Sequence, residues 1–301
     1  MNRSNTSGVG LSLVILSSAC WGMSGIFITF ISRGSDISAW GLAFWREVAA
    51  IVVLFTGLRL FRPDLLRVKR QDWIWLVLMG ATGMGLLHGT WNMSVMLNGA
   101  AVATILQYNA PILVSIVAFF LWREPLSGRK IAAIVMAFAG TLLAAGIDWS
   151  AGMELTSQGF VAGLGTAVAF GAISLFGKKL SGDYHTWTIL FYTFFFAALA
   201  LLPLQIGRPL PQTISMSALF AFIGLLAVST IGGYAIYTVG LQRLPASIAV
   251  IIATMEVPFS ALFAYALLGQ QVNVVQGVGG MLVVSGVILL SLPLRKVKFA
   301  D

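Results

Sequence analysis

Apolar residues in this chain come in long runs separated by short polar gaps, with neither the one-sided stripe of a surface helix nor the alternation of a strand. The runs fall roughly at 8–32, 38–61, 73–92, 99–121, 130–147, 158–180, 186–206, 217–240, 246–268 and 273–292. A helix needs about 20 mainly apolar residues to cross a bilayer, and these runs have that length. Barrel strands would alternate over about ten residues. A helix also satisfies its own backbone polar groups where no water is present. The pattern therefore predicts an all-α integral membrane protein of ten transmembrane helices, with no length left for a soluble domain.

Composition agrees with this reading. Only 9% of residues are charged and 58% are hydrophobic, whereas a soluble domain carries about 25% charged residues. The net charge of +8 would suit nucleic acid, but the cations sit in the gaps between runs, and no nucleic-acid partner is expected. With the N-terminus inside, the cytoplasmic segments hold Arg3, Arg59, Arg62, Arg67, Lys69, Arg70, Arg123, Arg129, Lys130, Lys178, Lys179, Arg243, Arg295, Lys296 and Lys298. Only Arg33 and Arg208 lie outside, and Arg46 falls within a span. This bias places both termini in the cytoplasm of a multi-pass protein of the cell (inner) membrane. The single cysteine, Cys20, permits no intramolecular disulfide. The first run is too long for a signal-peptide core and is expected to be retained.

Residues 97–121 align without gaps with 244–268, an offset of 147 that superposes Pro111 on Pro258. Each proline sits mid-span in the fourth helix of a five-helix set. Five is odd, so the second copy enters the membrane upside down. The expected architecture is two inverted five-helix repeats, 8–148 and 156–292, around a central cavity near the midplane. Two unrelated proline-kinked helices are the plainer alternative.

Ionisable groups inside spans are costly and face the bundle interior or water. Here they are Arg46, Glu47, His88 and Glu256. Glu256, two residues before Pro258, is a candidate for a substrate ammonium or a proton, against the alternative of a protonated, hydrogen-bonded acid. Arg46 and Glu47 leave their helix about 100° apart and are not expected to pair simply with each other. A structural or gating role suits them better than substrate contact. Helical spacing gathers Ser17, Trp21 and Ser24; Gly85, His88 and Asn92; Thr104, Tyr108 and Ser115; Thr230, Tyr234 and Tyr237; and Ala253, Glu256 and Ser260. Such stripes pack against helices or line a cavity. Trp21, Tyr108 and Tyr234 lie too deep for an interfacial belt. Trp21, Ser24, His88, Asn92, Tyr108, Tyr234, Tyr237 and Glu256 are the candidate cavity lining, with Pro111 and Pro258 as kink or gating positions. Small-residue pairs (Gly159 with Gly163, Gly85 with Gly89, Ser18 with Gly22) permit close helix approach.

Gly22-Met23-Ser24-Gly25 and the His88 to Asn92 spacing match short patterns of intramembrane serine hydrolases. The order of elements is wrong and the other histidine, His185, falls in a loop, so the serine lacks a base. No HExxH, P-loop or CxxC pattern is present. Neither an enzyme, a metal nor a cofactor is expected.

Leu106-Gln107-Tyr108-Asn109-Ala110-Pro111, Phe119-Phe120-Leu121-Trp122-Arg123-Glu124 and Gly140 carry a resemblance. So do Met255-Glu256-Val257-Pro258, Ala266-Leu267-Leu268-Gly269, Gly279-Gly280, Gly286, Arg46 and the link from Tyr237 through Leu244-Pro245-Ala246. Together they resemble the EamA-type members of the drug/metabolite transporter superfamily over nearly the whole chain. Within it, the chain looks closest to bacterial aromatic amino-acid exporters of the YddG type. The family often has a glutamate after the ninth helix, where this chain has Gln270 and Gln271. Glu124 keeps that feature in the first half only. The resemblance implies a secondary transporter exporting aromatic and apolar amino acids by alternating access. Its partners would be a small-molecule substrate, the lipid bilayer and, as a candidate coupling ion, the proton; the oligomeric state is open. The alternatives are another solute (a cationic drug, nucleotide sugar or sugar phosphate) or the serine hydrolase.

Overall fold

The structure is a computed structural model that describes residues 3–145, 156–208, 211–269 and 271–291. Of the positions named above, Gln270, Arg295, Lys296, Lys298 and the side chains of Arg3 and Asn92 lie outside the described residues, as do 146–148 and 292.

Every regular element among the described residues is helical, with one isolated bridge between Ser35 and Ile214. The first half holds α1 (Arg3–Gly22), α2 (Ser24–Gly34), α3 (Ala39–Phe61), α4 (Trp73–Leu78), α5 (Leu86–Gln107), α6 (Ala110–Trp122) and α7 (Gly128–Ala144). The second holds α8 (Ser157–Leu180), α9 (Thr186–Gln205), α10 (Met216–Gly224), α11 (Gly233–Arg243), α12 (Ala246–Ala253), α13 (Glu256–Leu268) and α14 (Val274–Ser291). Eight helical stretches among the described residues are long and apolar enough to cross a membrane, which makes this a multi-pass membrane protein. Large apolar side chains such as Leu60, Phe120 and Val161 point outward, as lipid permits. The expected fifth span, α7, has only 17 residues. At about 1.5 Å per residue that is roughly 25 Å, short of a core about 30 Å thick.

Local chemistry sets the ends. Ser38, Ser127, Thr156 and Ser215 accept backbone N–H groups in the first turns of α3, α7, α8 and α10, filling donors that a helix start leaves unpaired. α6 and α13 both stop at a left-handed residue, Arg123 (φ 53°) and Gly269 (φ 66°). Glycine adopts that conformation freely, whereas arginine pays about 1–2 kcal/mol.

Two departures from regular helix were not expected. Met79–Gly85, between α4 and α5, and Leu225–Gly232, between α10 and α11, are π-helical. Each π turn widens the coil and re-aims the side chains that follow. The prolines also act differently from simple kinks. α5 ends at Gln107 and α6 begins at Ala110, while α12 ends at Ala253 and α13 begins at Glu256. The breaks thus lie at Tyr108–Asn109 and Thr254–Met255, and Pro111 and Pro258 sit in the first turn after them. A missing N–H costs little there, because first-turn donors have no helical partner. α6 and α13 start at residues 110 and 256, 146 apart, against the 147 that aligns the prolines.

The main packing partners are α5 with α8, α7 with α14, α1 with α11 and α3 with α9. Each pair joins a first-half helix to a second-half helix, so the two halves share one core. α7 and α14 touch backbone to backbone: a Cβ added at Gly140 would lie 2.7 Å from the Gly279 carbonyl oxygen.

The two ends of the bundle are tied differently. At the end carrying the α2–α3 link, Asp36 accepts the backbone N–H groups of Gln212 (3.2 Å) and Thr213 (3.1 Å), and Ser215 N–H donates to the Gly34 carbonyl at 2.8 Å. Those two N–H groups hold the Asp36 carboxyl below its ordinary value of 3.8. At the opposite end, Lys178 Nζ donates to the Leu241 and Leu244 carbonyls at 2.6 and 2.7 Å. Glu124 accepts from Ala246 N–H at 3.2 Å and from the Ser247 hydroxyl. Lys130 Nζ donates to Ser247 Oγ at 2.8 Å and lies 3.5 Å from Glu124. Here the link after α6 is anchored on the start of α12, so Glu124 holds the first half to the second. Also at this end, Tyr184 donates to Asp72 at 2.6 Å; burial and that hydrogen bond raise its phenol above the ordinary range.

Candidate functional site

The two broken spans (α5–α6 and α12–α13) face each other across the middle of the bundle. Tyr108, at the first break, donates its hydroxyl to Glu256 Oε2, at the second, at 2.7 Å. Glu256 is the first residue of α13, where the unpaired N–H groups of the half-helix favour a negative charge.

Glu256 opens onto a cavity of about 90 Å³. Its lining runs from mid-bundle toward the Asp36 end: Trp21, Ser24 and Ile28; Leu42, Ala43 and Arg46; Leu87, His88 and Trp91; Gln107 and Phe170; and Ser229, Thr230 and Tyr234 with Glu256. On the opposite side of this layer the chain is packed. Trp21 meets Tyr234 and Tyr237 with ring centroids 5.0 Å from each and Phe170 at 5.9 Å. Beyond them, Val14 packs on Gly240 in the α1–α11 contact, and the Glu124, Lys130 and Lys178 contacts close the end. The packed aromatic layer and these contacts lie between the cavity and the Glu124 end.

Of the residues singled out from sequence, Trp21, Ser24, His88, Tyr234 and Glu256 line the cavity. Tyr108 is buried behind it through its bond to Glu256. Tyr237 is buried beneath it and bonded to Ser174 at 2.8 Å. Ser17 donates to the Gly233 carbonyl at 2.9 Å, a packing role. No hydrogen bond links Ser24 to His88 among the described residues, and His185 caps the start of α9.

Arg46 Nε lies 3.9 Å from Glu47 Oε1, and His88 Nδ1 lies 2.5 Å from the same oxygen. At 3.9 Å, with no hydrogen bond at Arg46 Nε among the described residues, the two side chains do not pair closely. Glu47 is fully buried, whereas Arg46 lies on the cavity wall. Sequence reasoning missed Trp91, Gln107, Phe170 and Ser229 as lining residues, and placed Thr230 on a stripe with Tyr234 without counting it as lining. Ser229 belongs to the π-helical turn, whose altered register a 3.6-residue stripe does not follow. Trp91 neighbours the predicted Asn92 and was legible as one more deep aromatic.

The EamA-like transporter family model matches residues 8–146 and 157–292. The chain belongs to the EamA-like transporter family. It is 26% identical over 95% of its length, and 96% of the relative's, to the "Uncharacterized inner membrane transporter YicL" of Salmonella typhimurium. It is 23% identical to the "Uncharacterized transporter YwfM" of Bacillus subtilis, over 96% of this chain and 95% of that one. A solved crystal structure superposes with a TM-score of 0.79 at 17% identity, covering 96% of this chain and 97% of its own; that likeness concerns the fold alone. This multi-pass protein is therefore a membrane transporter, with a small-molecule substrate and a lipid environment.

Proposed function

We propose that the chain is a secondary exporter of aromatic and other apolar amino acids, working by alternating access around the cavity at the two helix breaks. The observation that carries this reading is a small aromatic-lined cavity with an acid, Glu256, at a half-helix start and packed aromatics between it and the Glu124 end. Broken helices that meet at mid-membrane are a common way for secondary transporters to place charged groups against a solute. Trp21, Trp91, Phe170 and Tyr234 offer ring faces to an apolar side chain.

The proposal includes ten crossings, the eight long ones plus the segment beginning at Trp73 and α7, in two inverted halves, 8–148 and 156–292. The matched family segments, 8–146 and 157–292, support that division, as do a π-helical turn and a broken helix in each half. The cation bias puts both termini and the Glu124 knot in the cytoplasm, so the cavity faces outward. The resemblance to aromatic amino-acid exporters supports the substrate class.

A cationic drug is the second reading, favoured by Glu256. Nucleotide sugars and sugar phosphates fit less well. A phosphate calls for several cations, and Arg46 is the one Arg or Lys among the described residues lining the cavity.

Reconstituted liposomes loaded with labelled phenylalanine or tryptophan test the proposal. Saturable, competable flux is expected, whereas flux no faster than in empty liposomes contradicts it. If the proton is coupled, an imposed pH gradient drives the parent, and Glu256→Gln loses that drive.

A further inference from the structure

The cavity wall carries one guanidinium and one carboxylate, and each has unused bonding capacity. Arg46 Nε is buried and has no hydrogen-bond partner. The only ionic contact of the guanidinium among the described residues is the long 3.9 Å approach to Glu47. His88 Nδ1 lies 2.5 Å from the same Glu47 oxygen, and neither Glu47 oxygen has a hydrogen-bond partner among the described residues, so Arg46 is not hydrogen-bonded to a carboxylate of its own. Across the cavity, Glu256 spends Oε2 on the Tyr108 hydroxyl. Its other oxygen accepts no hydrogen bond from the described residues.

A buried donor without an acceptor is costly, about 1–3 kcal/mol and more when charged. A guanidinium is shaped to receive a carboxylate through parallel N–H donors. A carboxylate at a half-helix start is in turn a receptor for an ammonium. Resting on the amino-acid reading above, we propose that the cavity is a zwitterion clamp in which Arg46 takes the α-carboxylate and Glu256 the α-ammonium. Arg46 is thus a specificity-determining residue, in place of the gating role its sequence position suggested. A solute with both charges on one carbon satisfies both walls at once. A solute lacking either charge leaves a buried charged group unpaired, and discrimination of that kind is steep.

The test uses three molecules that share one side chain: phenylalanine, phenethylamine (no carboxylate) and 3-phenylpropanoate (no ammonium). Each competes against labelled phenylalanine in liposomes holding the parent protein, which needs no variant to fold. Phenylalanine is expected to compete at least tenfold more strongly than either analogue. Equal competition by all three overturns the clamp. In Arg46→Gln, the advantage over phenethylamine should fall at least tenfold while the advantage over 3-phenylpropanoate persists; Glu256→Gln should do the reverse. A uniform loss for all three molecules in both variants also overturns it, because that is how a purely structural role behaves. Should the parent carry no phenylalanine at all, the export reading fails by itself. The clamp is then read from thermal shifts of the purified parent with the same three molecules: a shift for the zwitterion alone supports it, and equal shifts or none refute it.

Discussion

At the residue scale, the protein separates two uses of charge. Inside the bundle, Arg46, Glu47, His88 and Glu256 are held around one cavity, and each was legible in the sequence as a polar group too costly to place in lipid. Their partnerships were not legible, because Tyr108 and Glu256 are 148 residues apart in sequence and no spacing rule joins them. The sequence suggests a structural or gating role for Arg46, and the structure puts it on the cavity wall. Outside the bundle, Asp36 straps the α2–α3 link to the segment before α10. Its carboxyl is held below 3.8 by the Thr213 and Gln212 N–H groups, so the strap contributes its full stability above that value. The contribution is lost as pH falls through the depressed one. Between about pH 5 and pH 3, the melting temperature of the parent in detergent should therefore fall more steeply than that of Asp36→Asn. Parallel slopes would show that Asp36 contributes no such strap.

At the element scale, run length predicted where helices lie but not how they are interrupted. Hydropathy is blind to the difference between an α turn and a π turn, so Met79–Gly85, with three glycines, left only a glycine-rich trace and Leu225–Gly232 left none. The prolines pointed to the right two spans, yet the backbone breaks ahead of each, where Tyr108, three residues before Pro111, and Thr254, four before Pro258, leave the helix. Glycine placement was more informative. Gly140 and Gly279 let α7 and α14 meet backbone to backbone, while a Cβ at Gly277, on the same helix, would meet nothing within 4 Å. Gly279→Val should force the two helices apart at a cost of about 1–3 kcal/mol or more, seen as a lower melting temperature and loss of a single size-exclusion peak. Gly277→Val should behave as the parent does. Equal damage from both would place the α7–α14 contact elsewhere.

At the scale of the whole molecule, the halves are joined rather than side by side, since each main helix pair takes one member from each. A cavity at such a seam opens to one face while the other face is locked, here by Glu124, Lys130 and Lys178 on the start of α12 and the end of α11. The general design, apolar spans with polar groups gathered inside, was legible in composition and spacing. The lock was not, because it is made by links between spans, whose mutual contacts depend on the finished fold. The most direct test is side-specific labelling of Ser24→Cys in a Cys20→Ser background with a membrane-impermeant maleimide. The account predicts labelling from the face bearing the α2–α3 link, little from the other face until Glu124→Gln is added, and slowing by saturating phenylalanine. Labelling from neither face, or at a rate that ignores both phenylalanine and Glu124→Gln, would contradict a solute cavity with one open and one locked side.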